Sequence, residues 1–178
     1  MPIYLLDTFG SASIGVYLLA TDNFAIVPKQ IPQSSLRKLE MWLKTKIIQT
    51  NIGGSILIGS LICANSNGII LPHFIWEEEF EALKPLKSLY DINITIMMTE
   101  KTAYGNLIVA NDYGALVDPR LKEKDIQNIS DTLGVEVIPK RIAMLPYVGS
   151  LATATNKGVL AHPLITAEEE KVLRDVLK

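Results

Sequence analysis

One thiol, Cys63, and two imidazoles, His73 and His162, are the only soft nucleophile and near-neutral bases in the chain. The chemistry to look for is a Cys–His pair, with a thiolate attacking an electrophilic carbon while the imidazole moves a proton. Nothing in the spacing joins them. Cys63 lies four residues after Gly59, and the positions four after Gly15, Gly105 and Gly149 hold Leu19, Val109 and Thr153. That is a packed strand position, where cysteine behaves as a small hydrophobe. His73 and His162 each adjoin a proline, and two isolated histidines form no metal site without further ligands at recognisable spacing. A single cysteine allows neither an internal disulfide nor a multi-cysteine zinc centre, and a reducing, intracellular setting is the expectation.

Glu77-Glu78-Glu79 and Glu168-Glu169-Glu170 could supply paired carboxylates for acid–base work. Both runs open helical stretches, where carboxylates complement the positive end of the helix dipole and form solvated faces. No phosphate-cradling glycine loop of the Walker or dinucleotide type is present. No cofactor or metal is implied, and the chain does not read as an enzyme.

The chain has 178 residues, 48% apolar and 20% charged, which suits one globular domain or a compact array of small units. Seventeen basic against nineteen acidic side chains leave a net charge of −2. Extensive direct contact with nucleic acid is disfavoured, because neutralising phosphates supplies much of such affinity. A basic protein partner matches better. The start, Met1-Pro2-Ile3-Tyr4-Leu5-Leu6-Asp7, lacks the basic region of a signal peptide. No apolar run approaches the ~18 residues of a membrane span. A cytoplasmic protein is expected.

The strongest signal is repetition. Gly15, Gly59, Gly105 and Gly149 recur every 44–46 residues. Ala20, Ala64, Ala110 and Ala154 follow at offset five; Phe24, Gly68, Gly114 and Gly158 at offset nine. Pro28, Pro72, Pro119 and Pro163 come next, then Leu39, Leu83, Ile129 and Leu173 at offset twenty-four. Four copies are expected, at roughly 1–51, 52–97, 98–141 and 142–178, forming one domain over 1–178. The last is incomplete against the others, and the chain reads as cut or as lacking a final unit.

Each copy predicts a strand–turn–strand–helix–strand unit. Leu57–Ala64 is rich in strand formers, Asn67-Gly68 suits a tight turn with positive φ, and Ile69-Ile70-Leu71 is a short second strand. A helix with Phe80 and Leu83 on one stripe follows, in which Pro85 predicts a kink or an early end. Asp91–Ile96 then alternates as a half-buried strand. Elsewhere, Ile126, Ile129 and Leu133 form a helical stripe, and Thr166 with Glu169 forms a capping box. In the first copy Ser34 or Ser35 is the expected cap of a helix carrying Leu36, Leu39 and Leu43.

Gly59–Gly68, Gly105–Pro119, Val148-Gly149-Ser150 and Asn156–Pro163 resemble the translation initiation factor 6 family, most closely its compact archaeal form. The resemblance runs nearly end to end. It implies an α/β pentein fold, a propeller-like ring of pseudo-symmetric αβ units with helices outside and strands lining the centre. Four units are visible here, where the family has five. It also implies a binding activity: attachment to the large ribosomal subunit at its intersubunit face, on a ribosomal protein near the sarcin-ricin loop. That attachment blocks premature joining of the small subunit and accompanies large-subunit biogenesis. A monomer is expected. Two alternatives stand beside it: a guanidino-modifying enzyme of the pentein type, and a repeat scaffold with a non-ribosomal protein partner.

On this reading Val16, Ser60, Asn106 and Ser150, which follow the repeat glycines, crowd one end of the ring. Ser60, Asn106 and Ser150 are the first candidate ribosome contacts. The turn residues Asn65, Asn111, Asp112 and Tyr113 are the second group, with Asp112 and Tyr113 expected as exposed contacts. Small polar residues at either place could equally serve the turns themselves.

Overall fold

The computed structural model describes residues 4–178. The first unit comprises α1 (Ile14–Tyr17), β1 (Leu19–Ala20), β2 (Phe24–Val27), α2 (Gln33–Leu43) and β3 (Lys46–Gln49). The second has α3 (Ile58–Leu61), β4 (Cys63–Ala64), β5 (Gly68–Pro72), α4 (Glu77–Tyr90) and β6 (Asn93–Met97). The third has α5 (Tyr104–Leu107), β7 (Ile108–Ala110), β8 (Gly114–Val117), α6 (Glu123–Leu133) and β9 (Glu136–Pro139). The fourth has α7 (Val148–Leu151), β10 (Ala152–Thr155), β11 (Gly158–Ala161) and α8 (Ala167–Leu177). In the first three, a hairpin pairs antiparallel and its second strand pairs parallel with the strand after the long helix. In the fourth, β10 and β11 form an antiparallel pair, Ala152 opposite Ala161.

Leu57–Ala64, expected as one strand, is a helical turn followed by two strand residues. The reason lies between units. A Cβ on Gly59 would stand 2.0 Å from the Gly15 carbonyl oxygen, on Gly105 1.9 Å from that of Gly59, and on Gly149 2.1 Å from that of Gly105. The short helices α1, α3, α5 and α7 therefore stack through bare backbone, which overrides the strand propensity of the Leu-Ile residues around Gly59. The 44–46-residue period is the period of this stack.

The Asn67-Gly68 turn also differs from expectation, since neither residue has a positive φ. Asn65 Oδ1 accepts the N–H groups of Asn67 (3.0 Å) and Gly68 (3.1 Å), so a side chain shapes the turn. Glycine is needed at 68 because a Cβ would stand 2.1 Å from the Thr132 carbonyl oxygen on α6. Gly114 meets Val176 on α8 in the same way, at 2.4 Å.

The long helices α4, α6 and α8 each cover the sheet of the preceding unit, while α2 packs through Leu36 and Leu39 on Val27 of its own unit. Leu83 and Leu86 of α4 pack on Phe24 and Ile26; Ile129 and Leu133 of α6 pack with Cys63 and Ile70; Leu173 and Val176 of α8 pack with Val109 and Leu116. Fully burying one such side chain stabilises by roughly 1.5–3 kcal/mol. Pro85 does not end α4, which runs on to Tyr90. Pro85 and Glu81 are both exposed, so water can take the carbonyl that proline leaves without a donor. Ser34 and Ser35 do not cap α2: Pro32 holds that position, with φ −56° and no side-chain cap. The Thr166–Glu169 box forms, with Glu169 N–H donating to Thr166 Oγ1 (3.1 Å) and Thr166 N–H to Glu169 Oε2 (2.8 Å).

Candidate functional site

The four units surround a cavity of about 660 Å³. Ser60, Asn106 and Ser150 line it beside the glycine stack, together with Val16. Ser150 is exposed, and Ser60 and Asn106 are half-buried. The stack thus places these three side chains along a common opening.

Cys63 and His162 also border the cavity. His162 Nδ1 accepts the Leu164 N–H at 3.2 Å, and His73 is exposed elsewhere. The Cys63 thiol is buried against Ile70 and Tyr104. Burial pushes it up to about 12, with the Ala64 backbone opposing weakly. Such a thiol stays protonated at neutral pH and is a poor nucleophile. Among the described residues, no three His, Cys, Asp or Glu side chains come together to hold a metal, and no helix is long and apolar enough to cross a membrane.

The hairpin turns gather at the other end of the strands. Asn65 and Asn111 are buried, 3% and 4% exposed, and both ends of each amide are engaged. Asn65 Nδ2 donates to the carbonyls of Asn111 (3.1 Å) and Leu133 (2.8 Å); Asn111 Nδ2 donates to Thr155 (3.1 Å) and Leu177 (2.6 Å). Leu133 and Leu177 are the last residues of α6 and α8, whose terminal carbonyls lack partners within their helices. These two asparagines fasten each turn to the next unit and offer nothing outward.

Asp112 is half-buried and equally committed. Its carboxylate accepts from Ser66 N–H (2.8 Å), Ser66 Oγ (2.7 Å) and Asn156 Nδ2 (2.6 Å). Burial works to raise its pKa, but the donors of Ser66 and Asn156 outweigh that and hold it below the ordinary carboxylate value. Tyr113 is the outward member of the group, 47% exposed, with the Lys178 ammonium 5.7 Å from its ring centre.

The family model described as the eIF-6 family matches residues 3–178. The chain belongs to the eIF-6 family. It is 42% identical to translation initiation factor 6 of Methanocaldococcus jannaschii, covering 95% of this chain and 75% of that one. It is 35% identical to that of Staphylothermus marinus, over 100% of this chain and 78% of that one. The factor of Pyrococcus horikoshii is 38% identical over 100% and 79%. Among solved structures, a DDAH from Pseudomonas aeruginosa complexed with citrulline superposes with a TM-score of 0.55 at 11% identity, over 90% of this chain and 64% of that one. That likeness shows the fold alone, and the α/β architecture of this eIF-6 chain is a pentein.

Two carboxylates of the eIF-6 chain, Glu79 and Glu169, reach beyond the solvated helix starts and the Thr166–Glu169 capping box expected of them. Glu79 is buried, and it accepts the N–H groups of Gly53 (2.5 Å), Gly54 (2.8 Å) and Trp76 (3.0 Å). Glu169 accepts those of Thr166 (2.8 Å) and Met144 (3.3 Å). Burial would raise Glu169, and the backbone donors of Thr166, Met144 and Ala143 outweigh it and keep its pKa low. The signal was available: both glutamates lie twenty residues after a repeat glycine. The buried Asp118, held by Arg120 (2.6 Å) and Lys101 (3.4 Å), gave no comparable sign.

Proposed function

We propose that this chain, acting as a single-domain monomer in the cytoplasm, binds the large ribosomal subunit at its intersubunit face. There it prevents premature association with the small subunit and serves translation initiation and large-subunit biogenesis. The observation that carries this reading is family membership over residues 3–178, with relatives named translation initiation factor 6 at 35–42% identity. The slight acidity of the chain supports a ribosomal-protein contact near the sarcin-ricin loop over a wide grip on RNA.

The proposed contact residues are Tyr113 at the turn end and Ser60, Asn106 and Ser150 at the glycine end. Asn65, Asn111 and Asp112 hold the turn surface in shape. Sedimentation with purified large and small subunits tests the reading. Co-migration with large subunits and fewer joined ribosomes is expected. A chain that stays at the top of the gradient, alone and when fused to a further repeat, refutes it. Tyr113→Ala should weaken co-migration about tenfold, the effect of losing one aromatic anchor.

A further inference from the structure

Three linkers carry the same tight turn. Thr8 bridges Ser11, Ile52 bridges Ser55 and Ile142 bridges Leu145. The two central residues of each have positive φ: 56° and 72° at Phe9-Gly10, 59° and 76° at Gly53-Gly54, 50° and 66° at Ala143-Met144. Each turn begins seven residues before a repeat glycine.

In two copies the paired amides of this turn hold a carboxylate. Gly53 and Gly54 donate to separate oxygens of Glu79, at 2.5 and 2.8 Å. Met144 donates to Glu169 at 3.3 Å, with the Ala143 N–H also directed at that carboxylate. In the first copy the turn is kept and the acid is absent: the residue twenty after Gly15 is Ser35. The amides of Phe9 and Gly10 donate to no described residue. The approach is open as well. Phe74 and Trp76 close over Gly53 and Gly54, whereas a Cβ on Gly10 would meet nothing within 4 Å.

We propose that the Phe9-Gly10 turn is a docking point for a carboxylate side chain presented by an acidic segment of a partner protein. The ligand class follows from the occupants of the equivalent turns, where one planar carboxylate bonds both amides. Asp7, one residue before the turn, disfavours a doubly charged phosphate monoester but not the singly charged phosphodiester of RNA, which titration with oligouridylate distinguishes. Phe9 gives the incoming segment an apolar neighbour, since its ring is 37% exposed and 5.2 Å from that of Tyr17. This inference stands apart from the ribosomal reading and does not depend on it.

The test follows backbone amide resonances of the whole isotope-labelled chain during titration. The probes are a blocked oligoglutamate peptide, its oligoglutamine counterpart and a single-stranded oligouridylate. Oligoglutamate should shift Phe9 and Gly10 saturably, with the other two probes leaving them in place. Ser35→Glu supplies the missing acid from within: it should move the same two amides before any peptide is added and weaken the peptide response about tenfold. Silence at Phe9 and Gly10 with oligoglutamate overturns the proposal. An equal or stronger response to oligouridylate overturns the carboxylate assignment in favour of RNA phosphate.

Discussion

Asn156 Nδ2 lies 3.0 Å from Asp22 Oδ2, a hydrogen bond that ties the fourth unit to the first across 134 residues of chain. The same amide donates to Asp112, which in turn accepts from Ser66, so all four units are linked at the turn end. At the opposite end the contacts form a stack with a free face, since nothing comes within 4 Å of a Cβ built on Gly15. The two ends of the cavity are therefore held by different means, polar side chains at one and bare backbone at the other.

Asn156→Ala should destabilise the fold by about 1–3 kcal/mol, because it leaves a half-buried carboxylate short of a donor. Asp22→Ala should cost less than about 1 kcal/mol, since Asp22 is exposed and water replaces its partner. Urea unfolding of the two variants beside the parent checks the order. Equal losses would mean that Asp22, and not Asp112, is the partner that matters.

Gly105→Ala places a methyl 1.9 Å from the Gly59 carbonyl oxygen, on backbone that cannot swing aside. A loss of about 3 kcal/mol or failure to fold is expected. Gly15→Ala meets open space in the equivalent helical turn and should be neutral or stabilising by up to about 1 kcal/mol. The pair is read by thermal and urea unfolding. A costly Gly15→Ala beside a harmless Gly105→Ala would contradict the stacking account.

How much of this was legible depended on where each constraint lay. The glycine period could be read because only glycine survives the 2 Å approach made at Gly59, Gly105 and Gly149, and Gly15 keeps the same spacing. The local conformation at Gly59 could not, because Leu57, Ile58, Leu61 and Ile62 favour a strand by themselves and the neighbouring unit decides otherwise. Asn65 and Asn111 illustrate the same limit. They looked like self-bonded turn residues or contacts, and each bonds its own turn, yet their amides also reach carbonyls 46–68 and 44–66 residues away. No local pattern encodes such distances. Glu79 was hidden differently, behind an ordinary acidic first turn that explains two of its three glutamates but not the buried one.

Asp112 and Glu169 are both held below their ordinary values in the fold. A carboxylate depressed in the folded state contributes stability above its unfolded pKa, near 4, and that contribution disappears as pH falls through the folded value. The urea midpoint should be flat above about pH 5 and drop progressively below about pH 4. Asp112→Asn should lower the midpoint at neutral pH and flatten its acid dependence. A midpoint that rises on acidification would reverse the sign and overturn the assignment.

Cys63 should resist iodoacetamide in the native protein from pH 7 to 9, because burial holds its thiol at about 12. In urea it should label at the rate of an ordinary exposed thiol. Fast labelling of the native chain, rising with the pH of a low-pKa thiolate, would revive the nucleophile reading. Cys63→Ala should keep any inhibition of subunit joining, at a packing cost of about 1 kcal/mol.

The covering of the first three sheets by the helix of the following unit has a consequence for synthesis. The Phe24 strand meets Leu83 and Leu86, and the Cys63 strand meets Ile129 and Leu133, only after a further repeat has been made. At bacterial-to-eukaryotic elongation speeds of roughly 5–20 residues per second, each 44–46-residue repeat emerges with a lag of about 2–9 s. Throughout that interval the newest sheet shows an uncovered apolar face to whatever surrounds the ribosomal exit. The first three units mature as a relay, each finished by its successor.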